Sequence, residues 1–348
     1  MEVEVSEACS VLVLQQTVPE YRRPFFELLE KELPGTLHVV SGDVTDPLRP
    51  AVGWSYGKVL RVKRILLQFP PLRRLRQADV LVLEYNPRLI TTWLLLIVSK
   101  ILGGRTVLWG HRENRKGQRP LVRKLLERLA DTVLYYTEAE VQRGRDAGDS
   151  ASAAFAAPNT LRVVYKDPTR RSDIVLSCRL VPEKNPLFAV RAIAGMDRPL
   201  PTLQVIGDGA LHDELRSLAD ELQVPIVMHG AQYDPVKLAE VYSLAFAALS
   251  PGYVGLNLNQ SVLSGVPLVY RLDAQHAPEV GYADETNSVG LYGTDIHVWA
   301  AALSDLRRGA YGPILPPSQL AAKSTDTLSL NAMVSGTLAA IRATGVCP

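Results

Sequence analysis

The sequence predicts two consecutive α/β domains, each built on a parallel sheet, and three observations carry that prediction. At 348 residues the chain is longer than one hydrophobic core usually serves. Short apolar runs alternate with amphipathic segments along its length, the pattern of a parallel sheet covered by helices. The rhythm stops after Asp146, in small residues followed by Lys166-Asp-Pro-Thr-Arg-Arg-Ser172, and then restarts.

In the first half the spacing predicts strands at Val11–Leu14, Leu37–Val40, Val80–Leu83, Thr106–Trp109 and Val133–Tyr136. Helical patterns cover Pro24–Glu32, Thr91–Leu102 and Leu121–Ala130. The second half repeats the scheme, with strands at Ile174–Cys178, Leu203–Ile206, Ile226–His229, Ala245–Leu249 and Val266–Tyr270. Its helices are expected at Pro186–Gly195, Ala210–Leu222, Pro235–Leu244 and Leu258–Leu263, and a last one from about Leu328 to Ala343. The domains are therefore set at residues 1–168 and 169–327, with 328–348 as a terminal helix packing back toward the first domain.

Hydrophobic residues make up 47% and charged residues 21%, as in an ordinary soluble globular protein. Three cysteines, Cys9, Cys178 and Cys347, are odd in number and far apart, which predicts neither a disulfide framework nor a zinc site and fits a reducing compartment. Met1–Ala8 holds three glutamates and no basic residue, which argues against a secretory signal. The apolar run from Trp93 to Leu102 is too short to span a bilayer. The expected setting is the cytoplasm, with peripheral contact at the inner face of a membrane left open. The net charge of +2 hides an asymmetry: residues 1–165 carry 24 Lys and Arg against 18 Asp and Glu, the remainder 14 against 18. A basic first half points to an anionic partner or to a solvated basic surface.

Three segments carry chemistry. Ser177-Cys-Arg-Leu-Val-Pro-Glu-Lys-Asn185 follows a strand and places Arg179 and Lys184 beside the helix start at Pro186. Two cations at a helix N-terminus suit a diphosphate. Val205-Ile-Gly207-Asp-Gly209 ends another strand with glycines that let a backbone approach closely, although it lacks the third glycine of a dinucleotide fingerprint. The stretch Leu249-Ser-Pro-Gly-Tyr-Val-Gly-Leu-Asn-Leu-Asn-Gln-Ser-Val-Leu-Ser-Gly-Val-Pro-Leu-Val269 runs from strand through turn to helix and back. The backbone N–H groups of Gly252, Tyr253, Val254, Gly255 and Leu256 are expected to point at a bound ligand.

Taken in order, these motifs resemble glycosyltransferase family 4. Val18-Pro-Glu-Tyr-Arg-Arg-Pro-Phe-Phe-Glu-Leu-Leu29, Trp109-Gly-His111 and Tyr136-Thr-Glu-Ala139 are similar to further parts of that family, and the resemblance covers about residues 11–305. It implies the GT-B architecture, two Rossmann-like parallel-sheet domains facing a central cleft. The implied activity is a retaining transfer of a hexosyl-type unit from a nucleotide-diphosphate sugar to a hydroxyl acceptor. Carried over by position, His111, Arg179 and Lys184 are the catalytic candidates. Gly207, Gly209, Gly252–Leu256, Gln260 and Glu279 are the donor-binding candidates.

Two positions depart from the family's pattern. Gly252 and Gln260 stand where most members carry glutamates, one for the sugar and one for the ribose hydroxyls. A neutral acceptor is weaker than a charged one, so Gln260 is expected to hold ribose less firmly, and a deoxyribose donor is one outcome. No Asp-x-Asp occurs in the chain. No metal ligand is therefore assigned, and the donor's charge falls to Arg179, Lys184 and the helix end. No cofactor is expected beyond the nucleotide-sugar donor itself.

For the acceptor, Arg22, Glu84, Tyr85, Asn86 and Arg112 lie at strand ends or loops of the first domain. Leu60–Arg76 mixes six cations with apolar residues and no acid, which suits either an anionic membrane surface or a helix packed on the sheet. No nucleic-acid motif accompanies it, so nucleic acid is not an expected partner. A pseudo-transferase that binds a nucleotide or a protein without turnover remains open. So does a nucleotide-sugar epimerase, for which Glu279 is the visible carboxylate.

Overall fold

The computed structural model describes residues 9–42, 54–113, 118–148, 153–167 and 170–348. The N-terminal glutamates and the linker positions 149–152 and 168–169 lie outside them. The chain forms two compact units, Met1–Asn159 with Leu330–Pro348, and Thr160–Ser329.

In the first unit the strands are β1 (Cys9–Gln15), β2 (Gly35–Ser41), β3 (Trp54–Tyr56), β4 (Lys58–Val62), β5 (Ile65–Phe69), β6 (Val80–Glu84), β7 (Arg105–Trp109), β8 (Thr132–Tyr135) and β9 (Ala153–Ala156). Seven of them form one parallel sheet in the order β3-β2-β1-β6-β7-β8-β9, while β4 and β5 pair separately as an antiparallel hairpin. The helices are α1 (Arg23–Glu32), α2 (Leu72–Gln77), α3 (Ile90–Leu102), α4 (Leu121–Leu129) and α5 (Glu138–Asp146), with Leu330–Arg342 joining them from the chain's end. Strand periodicity sorts the core. Val11 and Val13 of β1 face Phe25, Phe26 and Leu29 of α1 and Met333, Val334 and Ile341 of the terminal helix. Leu12 and Leu14 face the opposite layer, with Leu96 of α3 and Leu126 of α4. Apolar side chains on both faces are what make β1 read as an unbroken run.

The second unit repeats the plan with β10 (Asp173–Ser177), β11 (Leu203–Ile206), β12 (Ile226–Met228), β13 (Ala245–Ser250), β14 (Leu268–Arg271) and β15 (Ser288–Leu291). Their order is β12-β11-β10-β13-β14-β15, all parallel. Helices α6 (Pro186–Ala194), α7 (His212–Glu221), α8 (Pro235–Ser243), α9 (Asn257–Leu263), α10 (Ile296–Arg307) and α11 (Pro317–Leu328) cover the sheet. Ile174 and Leu176 pack with Val190 of α6, Leu215 of α7 and Leu303 of α10, whereas Val175 packs with Leu238 of α8, Leu258 of α9 and Leu320 of α11. In each sheet the strand order reverses beside its first strand, and such reversals open a crevice at the carboxyl ends. That fixes where to look in each unit.

Three expectations change. Ala153–Ala156, read as linker, is edge strand β9 on β8, and the terminal helix covers it where Gly336 has no side chain to strike Ala156 O. Most of Leu60–Arg76 is the hairpin β4–β5 turning at Lys63, whose φ is 53°, with only the short α2 helical. Cys9 and Cys347 are joined as a disulfide with Cα atoms 5.3 Å apart, contrary to the unpaired cysteines expected, because the terminal helix brings residue 347 back to the start of β1. Cys178 is free. No helix among the described residues is long and apolar enough to cross a membrane.

Candidate functional site

At the reversal of the second sheet, β10 and β13 deliver the segments that hold Arg179, Lys184 and the turn around Gly255. The two glycines after β11 shape the first of these. Gly207 (φ 134°) lies against Cys178 O and Gly209 (φ 155°) against Leu180 O, so closely that a Cβ at either would overlap the carbonyl. Cys178 N donates to Ile206 O at 3.0 Å and Leu180 N to Asp208 O at 2.9 Å. The Gly-Asp-Gly motif thus grips the loop that carries Arg179. Arg179 is exposed, and its side chain forms no hydrogen bond or ion pair among the described residues. Beside it, burial pushes the Cys178 thiol up to about 12, with Lys184 opposing.

Lys184 closes a short 3₁₀ turn, Pro182–Lys184, and the left-handed Asn185 (φ 49°) then starts α6. Its Nζ donates to Tyr253 O at 2.7 Å and lies 4.5 Å from the centre of the Tyr253 ring. Burial lowers the lysine's proton affinity, Arg179 adds to that, and Cys178 and Glu279 oppose it. Gly252 packs directly on this loop: Tyr253 N donates to Glu183 O at 3.1 Å, and a Cβ at 252 would lie 2.7 Å from Lys184 C. The space where a side chain would stand is occupied by Glu183–Lys184 backbone.

The N–H groups of the turn do not all point outward as expected. Tyr253 N is taken by Glu183 O, Val254 N by His276 Nδ1 at 3.1 Å, and Gly255 N by Asn257 Oδ1 at 2.8 Å. A turn this tight satisfies its own donors, which a strand–turn–helix pattern does not reveal. Leu256 follows at the start of α9. Gln260 is buried on α9, its amide nitrogen on Ser264 Oγ at 3.1 Å and its amide oxygen without a hydrogen-bond partner among the described residues. Glu279 is also buried, in the turn Pro278–Tyr282, and interacts electrostatically with Lys184.

At the reversal of the first sheet a cavity of about 1030 Å³ opens, walled by Arg22, Glu84, Tyr85, Asn86, His111 and Tyr136 among others. Glu84 ties the two strand ends together, accepting from Gln16 N at 2.7 Å and from Asn86 Nδ2 at 3.1 Å. Arg22 is buried, donating to Gln15 Oε1, Tyr136 OH and Asn159 Oδ1 at 2.9–3.1 Å and stacking on Trp109. The Tyr85 hydroxyl turns away from the cavity, to Glu127 Oε1 of α4 at 2.5 Å. Arg112 does not line this cavity. Its guanidinium meets Glu113 and its backbone N–H donates to Glu140 at 2.9 Å.

His111 packs its ring 4.4 Å from that of Tyr136, with Nδ1 3.7 Å from Glu140 Oε1. Glu140 is buried and also accepts from Tyr136 N and Thr137 Oγ1. It stands beside the histidine with no hydrogen bond to Nδ1 among the described residues, and it was not among the sequence candidates. The signal was present: Thr137-x-x-Glu140 is a capping box, with Thr137 Oγ1 accepting from Glu140 N at 3.1 Å.

Two parallel sheets of this order, each covered by helices, match the GT-B fold of glycosyltransferases of known structure. Among solved structures the chain is similar to the lipopolysaccharide outer core galactosyltransferase WaaB (TM-score 0.68, 13% identity, 96% of this chain and 99% of that one). It is similar also to the pneumococcal O-GlcNAc transferase GtfA, solved with UDP and GlcNAc (TM-score 0.70, 9% identity, 97% and 99%). A third is Anabaena HepE, solved with UDP and glucose (TM-score 0.65, 14% identity, 96% and 99%). No protein-family model and no curated protein sequence matches the chain.

Proposed function

We propose that the chain is a retaining, metal-independent glycosyltransferase that moves a hexosyl-type unit from a nucleotide-diphosphate sugar to a hydroxyl acceptor. The observation that carries this is the cationic pair at the second sheet's reversal: Arg179 open to solvent, Lys184 fixed 2.7 Å from Tyr253 O. The C1–oxygen bond to the diphosphate breaks with its electron pair leaving on phosphate. The acceptor oxygen bonds C1, and its proton departs with the nucleoside diphosphate. Arg179 and Lys184 neutralise the charge that builds on that leaving group, the kind of stabilisation that dominates such reactions. Retention is inferred from the resemblance of the motifs to glycosyltransferase family 4. The assignment of Gln260 to the ribose rests likewise on that resemblance. That HepE and GtfA were solved with UDP supports a nucleotide donor here.

The first unit's cavity, with Glu84, Asn86 and His111 on its wall, is assigned to the acceptor, which is a glycoconjugate, a lipid-linked sugar or a natural product. Peripheral contact with an anionic membrane is part of this reading. Leu60, Val62, Ile65, Phe69 and Leu72 are exposed on the hairpin and α2, among Arg61, Lys63, Arg64, Arg73 and Arg76.

The test is nucleoside diphosphate release from a panel of nucleotide sugars with hydroxyl acceptors, with the anomeric configuration of the product read by NMR. Lys184→Ala is expected to lower kcat by about 10²–10³-fold. Binding of every donor without turnover would support a pseudo-transferase instead, and isomerisation of free nucleotide sugar an epimerase.

A further inference from the structure

The turn Tyr253–Leu256 is held from behind by an imidazole. Val254 N donates to His276 Nδ1 at 3.1 Å, and His276 Nε2 lies 2.8 Å from Arg271 O at the end of β14. A carbonyl oxygen only accepts, so Nε2 carries the proton and Nδ1 offers its lone pair. Only this neutral tautomer serves both partners at once. Beside it, Ala277 N donates to Val254 O at 2.9 Å, so both polar groups of Val254 are pinned to the 276–277 segment. Val254 is fully buried, and water cannot replace a lost bond to its N–H. One residue earlier, Tyr253 O holds the Lys184 ammonium.

We propose that His276 is a positioning residue of the donor site: by accepting the Val254 N–H while donating to Arg271 O, it fixes the Tyr253 carbonyl and so sets where Lys184 meets the diphosphate. This rests on the donor-site reading above, and it makes the site sensitive to acid. A protonated ring would turn an N–H toward the Val254 N–H, donor against donor. The charged groups facing the ring are Lys184, from the turn before α6, and Arg271 and Asp273, which pair with each other at 2.7 Å beyond β14; Tyr270 adds an uncharged ring edge-on at 5.7 Å. Burial lowers the imidazole's proton affinity below the ordinary range, the Arg271 carbonyl opposes it, Lys184 and Arg271 add to the lowering, and Asp273 opposes. The clamp is therefore intact at neutral pH and is released as pH falls below the usual imidazole range.

The experiment compares the whole chain with His276→Ala and His276→Asn, whose Oδ1 accepts the same N–H and does not titrate. Amide hydrogen exchange of a peptide spanning 250–258 is followed without nucleotide, corrected for intrinsic rates, from about pH 5 to 8 across the imidazole range. His276→Ala should exchange roughly tenfold faster at Val254 and bind nucleoside diphosphates roughly tenfold more weakly. His276→Asn should restore both and remove the acid-side loosening that wild type shows. Equal exchange in wild type and His276→Ala overturns the clamp. A loosened turn with unchanged nucleotide affinity overturns its service to the donor site. If wild type binds no nucleoside diphosphate while the exchange pattern holds, the clamp stands and the donor-site reading falls.

Discussion

The resemblance to glycosyltransferase family 4 sets Gly252 where most of its members carry a glutamate, and the surroundings of Gly252 show what a side chain there would displace. A Cβ would overlap Glu183 O and come within 2.9 Å of Lys184 Cα, and backbone atoms do not swing aside as a side chain can. A glutamate at 252 would therefore move the lysine rather than add a ligand. Gly252→Glu and Gly252→Ala are both expected to cost about 1–3 kcal/mol of stability and to weaken nucleoside diphosphate binding, read by thermal melts and calorimetry. Gly255 supplies the contrast, since a Cβ there meets Tyr253 Cε1 at 3.6 Å and Ala277 Cβ at 4.0 Å, ordinary contacts. Gly255→Ala should thus melt within about 0.5 kcal/mol of wild type. A Gly252→Ala variant that melts and binds like wild type would show that the packing does not hold the lysine. The placement of Arg179 and Lys184 was legible in the sequence because strand, turn and helix follow each other within a few residues. His276, Asn257 and Glu140 owe their roles to partners that only the fold supplies, and Glu140 alone left a local trace.

Among elements, those with two apolar faces were the legible ones. Leu12 and Leu14 pack to one side of β1 while Val11 and Val13 pack to the other, so the run is apolar throughout and its length marks a strand. Much of the hairpin β4–β5 is exposed among the described residues, and its mixed pattern fits a helix as readily as a strand. Strand β9 is four residues of alanine and phenylalanine at a sheet edge, and its pairing with β8 is set by the backbone, not by side-chain pattern. The hairpin's exposed leucine, isoleucine and phenylalanine among arginines lead to the membrane prediction. Arg74 is tied to His38 at 3.0 Å, so the clean test reverses Arg61, Arg73 and Arg76 to glutamate. At about 1 kcal/mol per basic residue, the bound fraction on anionic vesicles should fall by more than 100-fold in partition. Co-sedimentation unchanged by the triple reversal rules that contact out.

At the scale of the whole molecule, the chain's last helix belongs to the unit that the chain's first residues build. Met333, Val334, Leu338 and Ile341 are buried with Phe25, Phe26 and Leu29 over β1, and Thr132 Oγ1 donates to Ala340 O at 3.0 Å. Each of those four side chains contributes about 1.5–3 kcal/mol by leaving water, or about 6–12 kcal/mol together. A domain of this kind is stable by only about 5–15 kcal/mol, so the first unit has little to spare without its last helix. Loss of that helix also removes Cys347 from Cys9 and uncovers β9 beside Gly336. The second unit, Thr160–Ser329, draws its core from its own strands and helices. Ending the chain after Ser329 should therefore abolish the first unit's melting transition while the second unit's transition survives, and with it nucleoside diphosphate binding. Calorimetry on the truncated chain decides this. Two retained transitions would mean that the terminal helix rests on the first unit without holding it together, whereas one retained transition with nucleotide affinity intact would place the donor site wholly within residues 160–329.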